Sequence, residues 1–305
     1  MTRFPFLKIF LGLSFFGVCL LAYVFVRAFF LTDVSKAPLE NELKRPVYLV
    51  SYSDGPAVFR KNQKMLTYSA LQWNVNFLFN YKKSFIDPKF IAKHKDVFAQ
   101  KKGAGYWLWK PWIIQNTLRQ VPENAYVIYC DAGFVLQKNP TPLLDLLKTN
   151  DVVLFAYENE ILSNVTKKNA LVKTGCDREA CRQSPAFIGG VILLKNTPTT
   201  RKFIQKWLTY CEDKDLLLDD GPLTATSSGG GSHRHDQSLL GITYFKNPKG
   251  IFVVPTTQDV FKGYFRIHHR HPDEEPLTLI TKLDNGIRGW ERLVLNSPLF
   301  RNLPE

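Results

Sequence analysis

The segment YVIYCDAGFVL, Tyr126 to Leu136, is a run of β-branched and aromatic residues that ends on an acid. A carboxylate at the open end of a buried strand is a hard oxygen ligand, suited to holding Mg²⁺ or Mn²⁺ against a diphosphate. Ala132 and Gly133 follow, and the glycine leaves the approach to that carboxylate free of a side chain. The same three residues also suit a simple turn, so neighbours must decide. One neighbour is GAGYWLWKP, Gly103 to Pro111, which crowds Tyr106, Trp107, Trp109 and Lys110 between glycines and a proline. Aromatic rings are core material, and they are also the usual surface for sugar faces and nucleobases; a lysine at a helix start meets phosphate or sugar hydroxyls. A second is HRHDQSLLG, His233 to Gly241, where Asp236 and Gln237 open an apolar helix. Asp236 there is either a cap for its own helix amides or a carboxylate available for proton transfer or charge stabilisation. A third is RIHHRHP, whose His268, His269 and His271 form either a solvated basic turn or a source of metal ligands.

These groups need a scaffold, and the sequence supplies one. PVYLVSYSDG reads as a first strand over Val47 to Tyr52, closed by Ser53, Asp54 and Gly55. FRKNQKMLTYSALQ, residues 59–72, has helical apolar spacing, and VNFLFNY gives a second strand from Val75 to Tyr81. Strand, helix, strand is the opening of a parallel α/β sheet, which binds ligands at the carboxyl ends of its strands. Ser51, Tyr52 and Asp131 fall at such ends. The alternation continues through PWIIQNTLRQV, with Pro111 in a first turn where its missing amide hydrogen costs nothing. Beyond the Asp131 strand come a helix near Pro142 to Leu147, the strand DVVLFAY, the run AFIGGVILLK and a helix around Thr200 to Cys211. SSGGGS, Ser227 to Ser232, is too glycine-rich for either regular element and reads as a loop. No internal repeat and no second domain boundary are visible.

At 305 residues, 45% apolar and 22% charged, the chain is globular over most of its length. Ile9 to Val26 is an uncharged apolar run bounded by Lys8 and Arg27, long enough to cross a bilayer. It exceeds the core of a cleaved signal peptide and lacks small residues at its end, so it reads as a retained anchor. The division is therefore residues 1–31 as tail and anchor, 32–45 as a short stem, and 46–305 as the catalytic domain. The expected topology is single-pass type II, with the domain in the Golgi or ER lumen of a eukaryote or at a bacterial inner membrane. The net charge of +13 suits solubility, anionic headgroups or a phosphate-bearing ligand. Basic residues are scattered and zinc-finger spacing is missing, so nucleic acid is not an expected partner. Cys176 and Cys181 stand close enough to close a small loop in an oxidising compartment, and Asn164-Val165-Thr166 is a glycosylation sequon.

Taken in order, the anchor, GYWLWKP, the strand ending in CDAG, SPAFIGGVILLK and HDQS resemble a nucleotide-sugar-dependent glycosyltransferase of the A-type fold. More narrowly, they resemble the group that pairs a GYWxWKP segment with a YxDAG strand end, over roughly Pro46 to Tyr244. The resemblance implies an α/β, Rossmann-like, mostly parallel central sheet flanked by helices behind a transmembrane helix. It implies transfer of a hexose from a nucleotide sugar, a UDP-sugar in particular, to a glycan, glycoprotein or lipid-linked acceptor, assisted by Mn²⁺ or Mg²⁺. Asp131 matches the first acid of that family's Asp-x-Asp motif, and Gly133 stands where the second usually is. Water, the donor or a late histidine must then complete the metal shell, and His268 is the expected histidine. Donor contacts are implied for Asp131, Ala132, Gly133, Lys110, Ser51 and Tyr52, and acceptor or sugar contacts for Trp109, Gly189, Gly190 and His235. Asp236 and Gln237 match the segment that faces the donor sugar and are the expected catalytic pair, with a lean towards retaining chemistry. Two alternatives stand beside it. One is a membrane-tethered metallohydrolase using His233, His235 and Asp236, in which Ser238 replaces the last histidine of the HxHxDH pattern. The other is a non-catalytic sugar-binding or scaffold protein of the same fold.

Overall fold

In the computed structural model, residues 45–73, 75–219, 232–256 and 263–267 are described. Their strands are β1 (Val47–Tyr52), β2 (Phe77–Tyr81), β3 (Tyr126–Cys130), β4 (Phe134–Leu136), β5 (Val152–Ile161), β6 (Pro185–Lys195), β7 (Ile251–Pro255) and β8 (Phe265–Ile267). The longer helices are α1 (Ala57–Leu71), α2 (Trp109–Gln120), α3 (Pro198–Glu212) and α4 (Asp236–Lys246). The main sheet has six strands in the order β2-β1-β3-β6-β5-β7, and β4 pairs with β8 in a separate two-stranded ribbon.

β1 is parallel to both β2 and β3, with α1 as the crossover between β1 and β2, as the sequence order requires. β5 and β7 are also parallel. β6 runs against both of its neighbours, pairing Cys130 with Val191 and Leu154 with Ile192. This reversal inside a mostly parallel sheet brings the amino-terminal half of β6 to the carboxyl end of β3. Gly189 and Gly190 thereby reach the edge at which Asp131 emerges.

β1 and β3 are buried along their whole length because both faces of the sheet are covered. The period of two in a strand sorts their side chains. Tyr48, Val50 and Tyr52 pack in one cluster with Ile113 and Ile114 of α2, Ile204 and Trp207 of α3, and Leu239 of α4. Val47 and Leu49 pack on the other face with Leu66 and Ala70 of α1 and Phe134 and Leu136 of β4. Cys176 and Cys181 are joined in a disulfide, and Cys130 and Cys211 are free and buried.

Among the described residues no helix is long and apolar enough to cross a membrane. The apolar run Ile9 to Val26, the stem up to residue 44, residues 227–231 of the glycine-rich patch, and His268 lie outside the described residues.

Candidate active site

Asp131 follows β3 directly, and its backbone donates a hydrogen bond to the carbonyl of Gly190 (2.8 Å). Its own carbonyl accepts from the amide of Phe134 (3.1 Å), so the residue does open a turn, through Ala132 and Gly133 into β4. Its side chain does more. Tyr129, two residues earlier and hence on the same face of the strand, donates its hydroxyl to Oδ1 of Asp131. Nζ of Lys110 lies 3.5 Å from the same oxygen. Oδ2 faces Gly190, where a methyl group would come within 3.0 Å of it and 2.7 Å of the Phe134 ring. A bare glycine is therefore required beside the carboxylate, which is 35% exposed.

Lys110 sits near the start of α2 and is buried. Its ammonium has three acceptors: the carbonyl of Gly189 at 3.1 Å, Oδ2 of Asp236 at 2.9 Å and Oδ1 of Asp131. The lysine expected at a phosphate is thus a strut that ties α2 to β6, to the end of β3 and to the first residue of α4. Burial pushes its pKa down, but Asp131 and Asp236 together outweigh that and hold it above the ordinary lysine value. Burial pushes Asp236 up to about 6 against the pull of Lys110, and Asp131 adds to the rise. Tyr129 is raised well above the usual phenol range by burial and then by Asp131, which keeps its hydroxyl a donor.

Polar capacity is left over at this edge. Ser51 Oγ, Tyr52 Oη and Gln237 Nε2 are buried with no hydrogen-bond partner. Such groups cost free energy until something satisfies them. Gly189 faces Gln237, so that a methyl group there would lie 3.3 Å from both its Cβ and its Cγ. The two β6 glycines keep the strip between Gln237 and Asp131 clear of side chains.

The remaining sequence candidates occupy other positions. Trp109 is buried, stacks on Tyr52 with ring centroids 4.0 Å apart, and donates its indole N–H to the carbonyl of Gly103. His235 is buried against Tyr106 and Trp107, with Nδ1 2.8 Å from the carbonyl of Leu217 and Nε2 3.7 Å from Asp219. Neither offers the open face that a sugar contact needs. His233 has Nε2 2.9 Å from the Leu216 carbonyl and accepts from the Lys167 amide at Nδ1. With both histidines turned to backbone carbonyls and Asp236 turned to Lys110, the HxHD metallohydrolase constellation does not converge on one point. Tyr129 escaped the sequence reading, although its i, i+2 relation to Asp131 was the available signal.

The fit to a divalent ion rests on Asp131. Its Oδ2 faces a side-chain-free strip and its carboxylate is partly exposed, whereas Asp236 is committed to Lys110. Among the described residues no group of three His, Cys, Asp or Glu side chains could hold a metal, so further ligands would have to come from bound phosphate or from outside them. β8 leaves the described residues at Ile267, paired with Phe134, three residues after Asp131.

No protein-family model matches the chain, and no curated protein matches it in sequence. Among solved structures it is similar to mouse xyloside xylosyltransferase 1 at 11% identity, covering 69% of this chain and 84% of that one, with a TM-score of 0.41. It is also similar to the galactosyltransferase LgtC in complex with donor and acceptor sugar analogs, at 14% identity, covering 68% and 73%, with a TM-score of 0.37. A third is a putative glucose-1-phosphate thymidylyltransferase from Bacillus anthracis, at 8% identity, covering 70% and 87%, with a TM-score of 0.34. Likeness at this level assigns no activity to the chain.

Proposed function

We propose that the chain is a glycosyltransferase that moves a hexose from a nucleotide sugar, a UDP-sugar in the first instance, to a hydroxyl of a glycan, glycoprotein or lipid-linked acceptor. The observation that carries this reading is the convergence of Lys110, Asp131 and Asp236, from three separate elements, beside the bare strip Gly189–Gly190 at the carboxyl edge of the sheet. A structural ion pair needs neither the strip nor the unpartnered Ser51, Tyr52 and Gln237. A nucleotide sugar, with phosphates as well as sugar hydroxyls to satisfy, has a use for both.

In this reading Asp131, with His268 as the expected second ligand, would hold Mn²⁺ or Mg²⁺, which would supply positive charge to the departing diphosphate. Ser51 and Tyr52, at the end of β1, and the turn Ala132–Gly133 receive the nucleotide and its phosphates. Gln237 donates its free amide hydrogens to the transferred sugar. Lys110 holds Asp131 in place through its ion pair, and Asp236, buried and paired, stabilises positive charge as it develops at the sugar carbon. The domain is held by the residue 9–26 anchor on the lumenal or outer side of its membrane.

The test is nucleotide binding with and without Mn²⁺, by thermal shift of the full chain in detergent across a panel of nucleotide sugars. Asp131→Ala should remove the metal-dependent shift while leaving the ligand-free Tm within a few degrees of wild type. An unchanged nucleotide affinity in that variant would exclude the assignment.

A further inference from the structure

His235, the residue before α4, has φ 49° and ψ −117°. The amide of Gln237 donates to the carbonyl of Arg234 (3.0 Å), which closes a four-residue turn around His235 and Asp236. The angles are close to those of the first central position of a type II′ turn, about 60° and −120°, where glycine is the ordinary residue. A residue with a Cβ is strained there and holds the conformation only when its surroundings impose it. Here the surroundings grip the ring. Nδ1 donates to the carbonyl of Leu217 (2.8 Å), and the buried imidazole stands edge-on to Tyr106 at 4.9 Å and stacks along Trp107 at 5.6 Å. Tyr106 and Trp107 are themselves held at φ 53° and 58°.

The residue that this turn delivers is Asp236. Its Oδ2 lies 2.9 Å from Nζ of Lys110, and its backbone carbonyl accepts the indole N–H of Trp207 at 2.8 Å. The His235 carbonyl accepts from the Leu239 amide (3.1 Å) inside α4. A change of ψ at His235 would rotate the peptide plane that leads into Asp236 and carry its carboxylate away from Lys110, which the Gly189 carbonyl and Asp131 hold from the other side. A ring that only filled space beside Tyr106 and Trp107 would have no use for a positive φ. We propose that His235 is a positioning residue for Asp236: its ring, fixed by Tyr106, Trp107 and the Leu217 carbonyl, holds a turn that glycine alone adopts freely, and the turn sets the carboxylate on Lys110. What Asp236 then does rests on the transferase reading; where it stands rests on geometry alone.

The test compares the full chain with His235→Gly, which permits the turn without the ring, and His235→Ala, which supplies neither. The probes are UDP-glucose, UDP-galactose and UDP-N-acetylglucosamine with Mn²⁺, read as donor hydrolysis. Alanine should lower kcat about thirtyfold with donor KM within about twofold of wild type, and glycine should bring kcat back to within about fivefold. Equal kcat in the two variants, high or low, would overturn the proposal, because a packing role does not distinguish them. If the alanine chain does not fold, His235→Asn, which tolerates positive φ better, takes its place in every comparison, and its kcat must still lie below that of glycine. A second measurement needs no substrate. Lys110→Met should lower the urea midpoint equally in wild type and in the glycine background, and less than half as much in the alanine background, where Asp236 no longer faces Lys110. Equal losses in the alanine and glycine backgrounds would overturn the proposal. That coupling without turnover of any donor by wild type would remove the transferase reading and leave the positioning of Asp236 standing.

Discussion

At the scale of single residues, the site turns on one cation shared by two acids. Lys110→Met removes the ammonium but keeps most of the volume, stranding the buried carboxylate of Asp236. Breaking such a pair by removing one partner costs about 3–5 kcal/mol. Protonation of Asp236 relieves that cost, so the loss measured by urea unfolding should be near this range at pH 8 and markedly smaller at pH 5. A loss independent of pH would mean that Asp236 is not the stranded partner. Activity has its own pH signature. With Asp236 pushed up to about 6, the carboxylate form that pairs with Lys110 exists above that pH and is lost below it. We expect turnover to fall about tenfold per unit as the pH drops below 6, and Asp236→Asn to be slow at every pH while still binding nucleotide. An Asn variant that keeps both the wild-type rate and the acid limb would reduce Asp236 to a structural partner.

Elements decide whether these side chains meet. β6 is the element that matters most, because its reversed direction is what lays Gly189 and Gly190 against Gln237 and Asp131. Gly190→Ala would force a methyl to 2.7 Å from the Phe134 ring and 3.0 Å from Asp131 Oδ2, which is overpacking of a rigid strand. We expect about 1–3 kcal/mol of destabilisation and a larger proportional loss of metal-dependent nucleotide affinity than of Tm, read by calorimetry and titration. Gly189→Ala, 3.3 Å from a side chain able to shift, should be milder. The strand, helix, strand opening, the helix at Pro111 and the helix at Asp236 could be read from apolar periodicity, since each buries one continuous face. The direction of β6 could not be, because a strand buried on both sides has the same composition whichever way it runs. Nor could the left-handed stretch from Gly103 to Trp107, in which Ala104, Tyr106 and Trp107 all have φ between 50° and 58°. Only contacts made from outside the segment, such as the Trp109 indole on the Gly103 carbonyl and the packing of His235 on Tyr106 and Trp107, hold non-glycine residues there. This turn is what swings Trp109 behind Tyr52, so an aromatic expected to face sugar became core.

Across the folded unit, the carboxyl strand ends gather the acids of the site, and the opposite edge carries Arg45, the first described residue, bonded to the Asn124 carbonyl. Asp131 was legible because a charge at the end of an apolar run stands out, and Asp236 because it opens an apolar helix, whereas their meeting at Lys110 draws on three separate elements and leaves no local pattern. Acid stability is a property of the same global packing. Burial lowers His233 to about 3, and His235 lies beside it, also lowered chiefly by burial. The unfolded chain takes up a proton on each histidine near pH 6.5, and the folded chain refuses it, so stability falls as the pH drops through the window from about 6.5 towards 3. Asp236 works in the opposite sense: its raised pKa makes the folded state the better proton acceptor between about 6 and 4, where it offsets part of that fall. Urea midpoints should therefore decline only modestly down to pH 6 in wild type. The Asp236→Asn variant, freed of the offset, should decline more steeply between pH 6 and 4. His233→Gln, which keeps a donor for the Leu216 carbonyl, should flatten the slope by about 1.4 kcal/mol per pH unit. An acid slope untouched by His233→Gln would show that the imidazole is solvated in the folded protein, and that the Leu216 and Lys167 contacts do not exclude water from it.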